Sequence, residues 1–188
     1  GMFMKFLIVL VSLLALSGCR DDGFLSKQEL ETIFAVNAVC GDVETTLDGS
    51  CAWGEAYNQF GNESVFALFA NPVGDYEHRV VLVQMIWDGD FLCMQNSAAG
   101  IREIYSGPTL AFRFDRSNVR RVTDGVFQQM LPLFAREQAN DTCYRYAWRD
   151  EDQTHLIRTK FVEGNQQPTT KQMLLVPLSA GGLGLAGP

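Results

Sequence analysis

The chain has 188 residues and a formal net charge of −7; 47% of its residues are hydrophobic and 11% are aromatic. This length suits one domain with an ordinary core, and the hydrophobic content argues against intrinsic disorder. The acidic balance argues against a nucleic-acid partner, because neutralising phosphates requires clustered Lys and Arg. It also argues against broad electrostatic adhesion to anionic lipid.

The chain begins with the features of an export signal. Lys5 precedes an apolar stretch of about 11 residues, from Phe6 to Leu16, and small residues follow it. The stretch is too short to be a membrane span, which needs about 20 residues. Leu16-Ser17-Gly18-Cys19 resembles the lipobox of bacterial lipoproteins. The resemblance implies cleavage after residue 18 and lipid attached to Cys19.

The same resemblance divides the chain and predicts its location. Residues 1–18 are expected to be a cleaved signal peptide, with Gly1 a cloning remnant, followed by a lipidated tether (19–25), a folded domain (26–178) and a flexible Gly-rich tail (179–188). In the lipoproteins that the motif resembles, Asp after the cysteine favours the inner membrane. Here Arg20 follows Cys19, so we expect a periplasm-facing lipoprotein, with the outer membrane preferred. The short tether predicts a domain close to the membrane.

Four further cysteines remain, at Cys40, Cys51, Cys93 and Cys143. An even number in an exported chain predicts two structural disulfides. Of the three possible pairings, the local choice joins Cys40 to Cys51 and leaves Cys93 for Cys143. The sequence contains no C-x-x-C motif and no histidine pair near these cysteines, which disfavours redox or metal chemistry.

The first half of the chain predicts helices and strands in alternation. Ser26 and Glu29 fit a capping box, and apolar spacing predicts a helix over 27–38. Asp88-Gly89 lies between two apolar runs and predicts a hairpin that pairs Trp87 with Asp90. Both faces of this hairpin are apolar, so we expect it to be central and covered on both sides. A short helix is expected after Asn96 or Ser97.

The second half predicts one helix and a three-stranded meander. The helix is expected to start at Thr123 or Asp124 and to kink or break at Pro132. From Thr142 the residues alternate, with the aromatic side chains of 144, 146 and 148 on one face, and the third strand is expected at 173–178. The predicted fold class is α+β: a single domain with mainly antiparallel sheet, two or three helices and two disulfides. A helix ending near a cysteine and followed by three strands occurs twice, so tandem α/β-meander halves are possible.

Few residues suggest a chemical site. His78 and His155 are interpreted as surface or capping histidines, because neither belongs to a recognisable catalytic or zinc pattern. The acidic pairs and triplets lie in predicted turns, where Asp is favoured for backbone reasons. The basic concentration is a candidate patch for an anion or a partner, unless nearby carboxylates neutralise it; it consists of Arg113, Arg116, Arg120 and Arg121.

The sequence therefore favours a lipid-anchored cell-envelope protein with a non-catalytic binding or assembly role. Its expected partners are the membrane, through the lipid, and another envelope protein; no cofactor, metal or nucleic acid is expected. One alternative is an envelope hydrolase, which would show a deep pocket gathering His78 or His155 with carboxylates. Another is a carrier of a small apolar ligand, which would show an internal cavity beneath the sheet.

Overall fold

The computed structural model describes residues 22–187, which contain two α-helices and twelve strands. In chain order the elements are α1 (Lys27–Phe34), β1 (Asn37–Gly41), β2 (Trp53–Asn58), β3 (Ser64–Gly74), β4 (Glu77–Asp88), β5 (Phe91–Cys93), β6 (Ile101–Gly107), β7 (Ala111–Arg113), β8 (Arg120–Arg121), α2 (Asp124–Glu137), β9 (Thr142–Trp148), β10 (His155–Val162), β11 (Asn165–Pro177) and β12 (Gly182–Gly184).

Eight of the described strands close into an antiparallel barrel. Each strand from β1 to β5 pairs with the next, β5 pairs with β9, and β9 to β11 lead back to β1. The seam between β5 and β9 is short: Leu92 faces Tyr144 and Cys93 faces Cys143. The first half of β4 pairs with β6 instead of β5, so β6, β7 and β8 form an excursion outside the barrel.

The predicted α+β class, with its possible tandem halves, is wrong because the strands close on themselves. Strand β4 explains the error. Its residues Val81 and Val83 point into the barrel, whereas Val80 and Leu82 contact a second apolar cluster on the outside. Two apolar faces suggested an open sheet between two layers, but a barrel wall with an outer covering gives the same pattern.

The outer covering includes the chain end that was expected to be a flexible tail. Strand β12 pairs with β7, and Leu183 and Leu185 are buried against the outer face of the barrel. A Cβ atom on Gly54 of β2 would lie 2.8 Å from Leu183, so glycine permits this close packing. The expectation of a flexible tail is therefore wrong for residues 179–187. Leu183 and Leu185 form part of the second apolar cluster, on the outside of the barrel.

The described part of the expected tether, residues 22–25, also packs on the barrel. The Leu25 amide donates to the Tyr146 carbonyl at 2.7 Å, and the Leu25 side chain is buried. The Arg145 guanidinium lies over the rings of Phe24 and Phe91, at 4.7 and 4.9 Å, and pairs with Asp22 at 3.2 Å. Cys19 and the expected signal peptide lie outside the described residues.

Local predictions near α1 and the hairpin are partly confirmed. The capping box of Ser26 and Glu29 is present, but α1 ends at Phe34 because β1 begins at Asn37. In the hairpin, Asp88 faces Phe91, so the turn lies one residue later than predicted. The loop then begins with Gly89, whose φ of +58° is rarely adopted by other residues.

Three other predicted elements differ. The expected helix after Asn96 is only a 3₁₀ turn, Asn96–Ala98, because the apolar residues beyond it form β6. Helix α2 runs without a break through Pro132, with the Thr123 side chain accepting the Val126 amide as its cap. Strand β11 begins at Asn165 rather than at the expected residue 173, since a tight turn joins it to β10.

The described residues contain two disulfides, Cys40–Cys51 and Cys93–Cys143, with Cα atoms 5.0 and 4.0 Å apart. The prediction of two disulfides is confirmed, and the local pairing is the one that forms. These bonds place the folded chain in an oxidising, exported environment. Within residues 22–187, no helix has the length and apolarity to span a bilayer.

Candidate ligand cavity at the open end of the barrel

Helix α1 plugs one end of the barrel, which we call the plugged end. Phe34 is fully buried and stacks on Tyr57 with ring centres 4.2 Å apart, while its edge meets Tyr146 at 5.6 Å. The Lys27 amide donates to Asp90 in the β4–β5 turn at 2.8 Å, which fixes the start of α1 over the strand ends. The barrel interior at this end is therefore packed with side chains.

The opposite end, which we call the open end, contains a cavity of about 380 Å³. One part of its wall is apolar and comes from the barrel, β6 and α2: Phe69, Val81, Val83, Met94, Ile101 and Phe134. The other part carries polar or charged side chains: Glu55, Asn71, Gln138, Thr142, Arg158 and Lys160. The cavity is thus amphipathic.

Helix α2 forms the side of the cavity mouth. None of its fourteen described residues is fully buried, although Phe127 and Phe134 pack against the barrel core. On its outer side, Leu133 remains 54% exposed. The end of α2 is held by the Ser97 amide, which donates to the Gln138 carbonyl at 2.9 Å. The helix therefore borders the open end without filling it.

A buried ion pair forms the floor of the cavity. Arg158 on β10 donates to Glu55 on β2 at 2.6 Å, and the hydroxyl of Tyr57 donates to the other carboxylate oxygen at 2.6 Å. Only 1% of the Glu55 side chain and 13% of the Arg158 side chain are exposed. A buried charge requires such pairing, because desolvation of an unpaired ion costs several kcal/mol. Both oxygens of Glu55 are therefore engaged.

Two aromatic rings pack against the Arg158 guanidinium. The guanidinium carbon lies 4.7 Å from the ring centre of Trp53 and 4.7 Å from that of Tyr144. Trp53 is itself oriented by Asp42, which accepts its indole N–H at 3.2 Å. Burial alone would lower the pKa of Arg158, but the Glu55 carboxylate leads the opposing interactions that hold it above its usual value. Arg158 therefore keeps its charge.

The phenols around the ion pair are neutral. Burial, followed by the charge of Glu55, raises the pKa of Tyr57 well above its ordinary value. Burial also raises the pKa values of Tyr144 and Tyr146. These side chains can donate hydrogen bonds but do not supply a phenolate nucleophile. Across the described residues, no group of three or more potential ligands could hold a metal ion.

Neither histidine lines this cavity. His78 is fully buried outside the barrel interior, where its Nδ1–H donates to the Thr109 carbonyl, so the expected surface position is wrong. Gly107 makes room for the ring, since a Cβ atom there would lie 2.6 Å from it. Burial lowers the pKa of His78. His155 lies on the rim of the plugged end, 3.8 Å from Asp150.

The predicted arginine patch lies on the excursion outside the barrel. Three of its members pair with carboxylates: Arg113 with Asp115 at 3.6 Å, Arg116 with Glu103 at 3.9 Å, and Arg121 with both Glu103 and Asp124, at 3.8 and 3.5 Å. Arg120 has no ion pair with any described residue. Much of the positive charge of this patch is locally compensated, and a role in partner binding stays a prediction.

Sequence reasoning missed the ion pair at the cavity floor. Glu55 and Arg158 are 103 positions apart, and nothing local indicates that they meet. A weak signal existed in β10, where Arg158 shares the alternating inward face with the fully buried Leu156. A charged residue on the same strand face as a fully buried leucine indicates a partner or a cavity.

Comparison of the chain with protein-family models, with curated proteins and with solved structures found no match. The cavity and its buried ion pair are therefore the features from which a function can be argued.

Proposed function

We propose that the chain is an exported, lipid-tethered binding protein that holds a small amphipathic molecule in the open end of its barrel. The observation that carries the proposal is the cavity of about 380 Å³, which is lined by both apolar and polar side chains. This volume lies within the range of about 300–1,000 Å³ typical of ligand pockets. This function combines the binding role that the sequence favours with the alternative of a carrier for a small apolar ligand.

The site supports binding better than hydrolysis. Glu55 is the more buried of the two carboxylates that line the cavity, but both its oxygens already accept hydrogen bonds, from Arg158 and Tyr57. A general base needs a free acceptor within reach of the reacting proton. His78 and His155 lie away from the cavity lining, so the pocket expected of the hydrolase alternative is not assembled.

The position of Asp22 supports a tether close to the barrel wall. Asp22 is fixed to Arg145 on β9 and lies three residues after Cys19. A lipid on Cys19 would hold the backbone of Asp22, beside this wall, within about 11 Å of the attachment point, since an extended residue spans at most about 3.6 Å.

Mass spectrometry of protein isolated from its native membranes tests the tether. We expect a mature terminus at Cys19 that carries acyl chains, and a Cys19→Ser variant that lacks them and leaves the membrane fraction. An unprocessed leader, or a mature terminus without acyl chains, would contradict this part of the proposal.

Binding is tested with N-phenyl-1-naphthylamine, a neutral apolar dye whose fluorescence rises in an apolar environment. We expect saturable binding by the folded protein. Val81→Trp fills the cavity and should abolish binding, whereas Val73→Trp, at an exposed position on β3, should leave it unchanged. Asn71→Trp narrows the mouth at an exposed position and serves if Val81→Trp does not fold. Equal binding by the cavity-blocking and control variants would overturn the proposal.

A further inference from the structure

We infer that the ligand is a medium-chain carboxylate, with its head group on the free edge of Arg158 and near Lys160 and its chain along the apolar wall. This inference rests on the proposed function and specifies the ligand class of the same cavity. Three observations support it: the cavity floor offers hydrogen-bond donors, it excludes a cationic head group, and the cavity volume limits the length of the alkyl chain.

The floor offers hydrogen-bond donors rather than acceptors. Arg158 makes one side-chain hydrogen bond among the described residues, from Nη1 to Glu55, and none of its nitrogens is buried without a partner. Its remaining N–H groups therefore keep contact with solvent in the cavity. Glu55 offers no free oxygen, because Tyr57 occupies the second one. A head group with acceptor oxygens complements this floor, and a carboxylate matches the planar guanidinium edge.

The floor also excludes a cationic head group. An aromatic pair such as Trp53 and Tyr144 can bind a ligand cation between its rings. Here the guanidinium of Arg158 already occupies that position, 4.7 Å from each ring centre. A ligand ammonium at the floor would meet a like charge in a partly desolvated site, where the floor carboxylate, Glu55, is already paired.

A second cation lies on the same face of β10. Lys160 is two residues beyond Arg158, about 7 Å along the strand, and both side chains line the cavity. Lys160 is exposed and forms no ion pair with any described residue. The opposing rim carries Glu137, at the end of α2, which is also exposed. This arrangement draws an anionic head group toward β10 and away from α2.

The cavity volume limits the chain length. If a methylene group occupies about the 30 Å³ of a water molecule, then 380 Å³ holds on the order of ten carbon atoms. Apolar contacts along the opposite wall are provided by Val81, Val83 and Ile101. Each added methylene should raise the affinity about fourfold until the cavity is full.

The test uses displacement of N-phenyl-1-naphthylamine by three ligands of equal chain length: decanoate, decanol and decylamine. We expect decanoate to displace the dye with an affinity at least about tenfold above that of decanol, and decylamine to bind most weakly. Added salt should weaken decanoate binding and leave decanol binding unchanged.

The head group is localised by a matched pair of variants, each of which removes one cation that forms no ion pair with any described residue. Lys160→Gln should lower decanoate affinity about fivefold without changing decanol affinity, and Arg120→Gln, on β8 outside the barrel, should change neither. Both positions are exposed, so both variants should fold.

The outcomes separate this inference from the proposed function. Equal affinities for decanoate and decanol, or preferred binding of decylamine, would overturn the inference while dye binding still supports a ligand cavity. Dye binding that none of the three ligands displaces would also overturn the inference. Failure of the dye itself to bind would instead count against the proposed function.

Discussion

The two ends of the barrel are closed by different means. At the plugged end, α1 inserts Phe34 into the interior and stacks it on Tyr57, so packing alone fills the space. At the open end, α2 remains at the side of the mouth with none of its described residues fully buried, and a cavity persists. Both disulfides join residues near this open end, at the end of β1 and at the β5–β9 seam.

A barrel can keep a cavity and stay folded when other interactions stabilise its wall. An empty cavity forfeits packing contacts, so the surrounding strands need stabilisation from another source. Here the two disulfides provide it, and the pairing of Glu55 with Arg158 avoids an unpaired buried charge. The plugged end should therefore be sensitive to lost volume, whereas the open end should be sensitive to lost cross-links and lost charge pairing.

The largest difference is expected for phenylalanine truncation at the two ends. Phe34→Ala should lower the free energy of unfolding by about 4 kcal/mol, because it empties a fully packed site. Phe134→Ala, on α2, should cost about 1 kcal/mol, since its ring already borders a cavity. Denaturant titration measures both. Equal losses would show that the two ends do not differ in packing.

The disulfides should act mainly at the open end. Replacing Cys93 and Cys143 by Ser should cost about 4 kcal/mol, and replacing Cys40 and Cys51 about 3 kcal/mol, since the closed loops span 50 and 11 positions. Hydrogen exchange after reduction should accelerate first in β5 and β9, while the amides of α1 stay protected. Earlier exchange in α1 would contradict this division.

The buried ion pair should matter more than any surface pair. Glu55→Gln leaves the Arg158 charge buried without its counter-ion and should cost about 3 kcal/mol. Glu103→Gln is the control, because Glu103 is 34% exposed beside Arg116 and Arg121, and it should cost less than about 1 kcal/mol. Replacing Glu55 and Arg158 together by Leu should recover much of the loss. Thermal unfolding that ranks Glu103→Gln as the costlier change would contradict this assignment.

The smallest effect concerns pH and lies outside both ends. Burial lowers the pKa of His78 in the folded state, so the unfolded chain binds a proton first as the pH falls below about 6.5. Stability should therefore decrease in that range, by at most about 1.4 kcal/mol per pH unit. His78→Asn retains a donor toward the Thr109 carbonyl and should reduce this slope. An unchanged slope in His78→Asn, with a reduced one in a His155→Gln control, would contradict the assignment.

Signals between residues close in sequence predicted local structure, whereas most contacts between residues distant in sequence were not predicted. The capping box at Ser26 and the pairing of Cys40 with Cys51 depend on residues within about a dozen positions, and both are confirmed. The predicted hairpin is present, but its turn lies one residue later, so that Trp87 faces Leu92 in place of Asp90. Barrel closure depends on two residue pairs at the seam, and the sequence predicts one of them, Cys93 with Cys143, as a disulfide without indicating that their strands pair.

The candidate site could not be predicted from the sequence, because it also depends on contacts between residues distant in sequence. Glu55 and Arg158 meet only because β2 and β10 face each other across the barrel interior. Four glycines, at 181, 182, 184 and 187, predict a flexible tail over 179–188, although Leu183 and Leu185 lie between them. In the folded chain, Gly54 on β2 has no Cβ atom, which leaves room for Leu183 to pack against the strand.

The indole N–H resonances of the tryptophans test the ligand cavity most directly. Trp53 borders the cavity, whereas Trp87 and Trp148 lie toward the plugged end, near Lys27 and Ile33. In a titration of the ¹⁵N-labelled protein with decanoate, assigned with a Trp53→Phe variant, the Trp53 resonance should shift and saturate while the other two stay in place. Saturable shifts of Trp87 or Trp148 with an unmoved Trp53 would contradict the account.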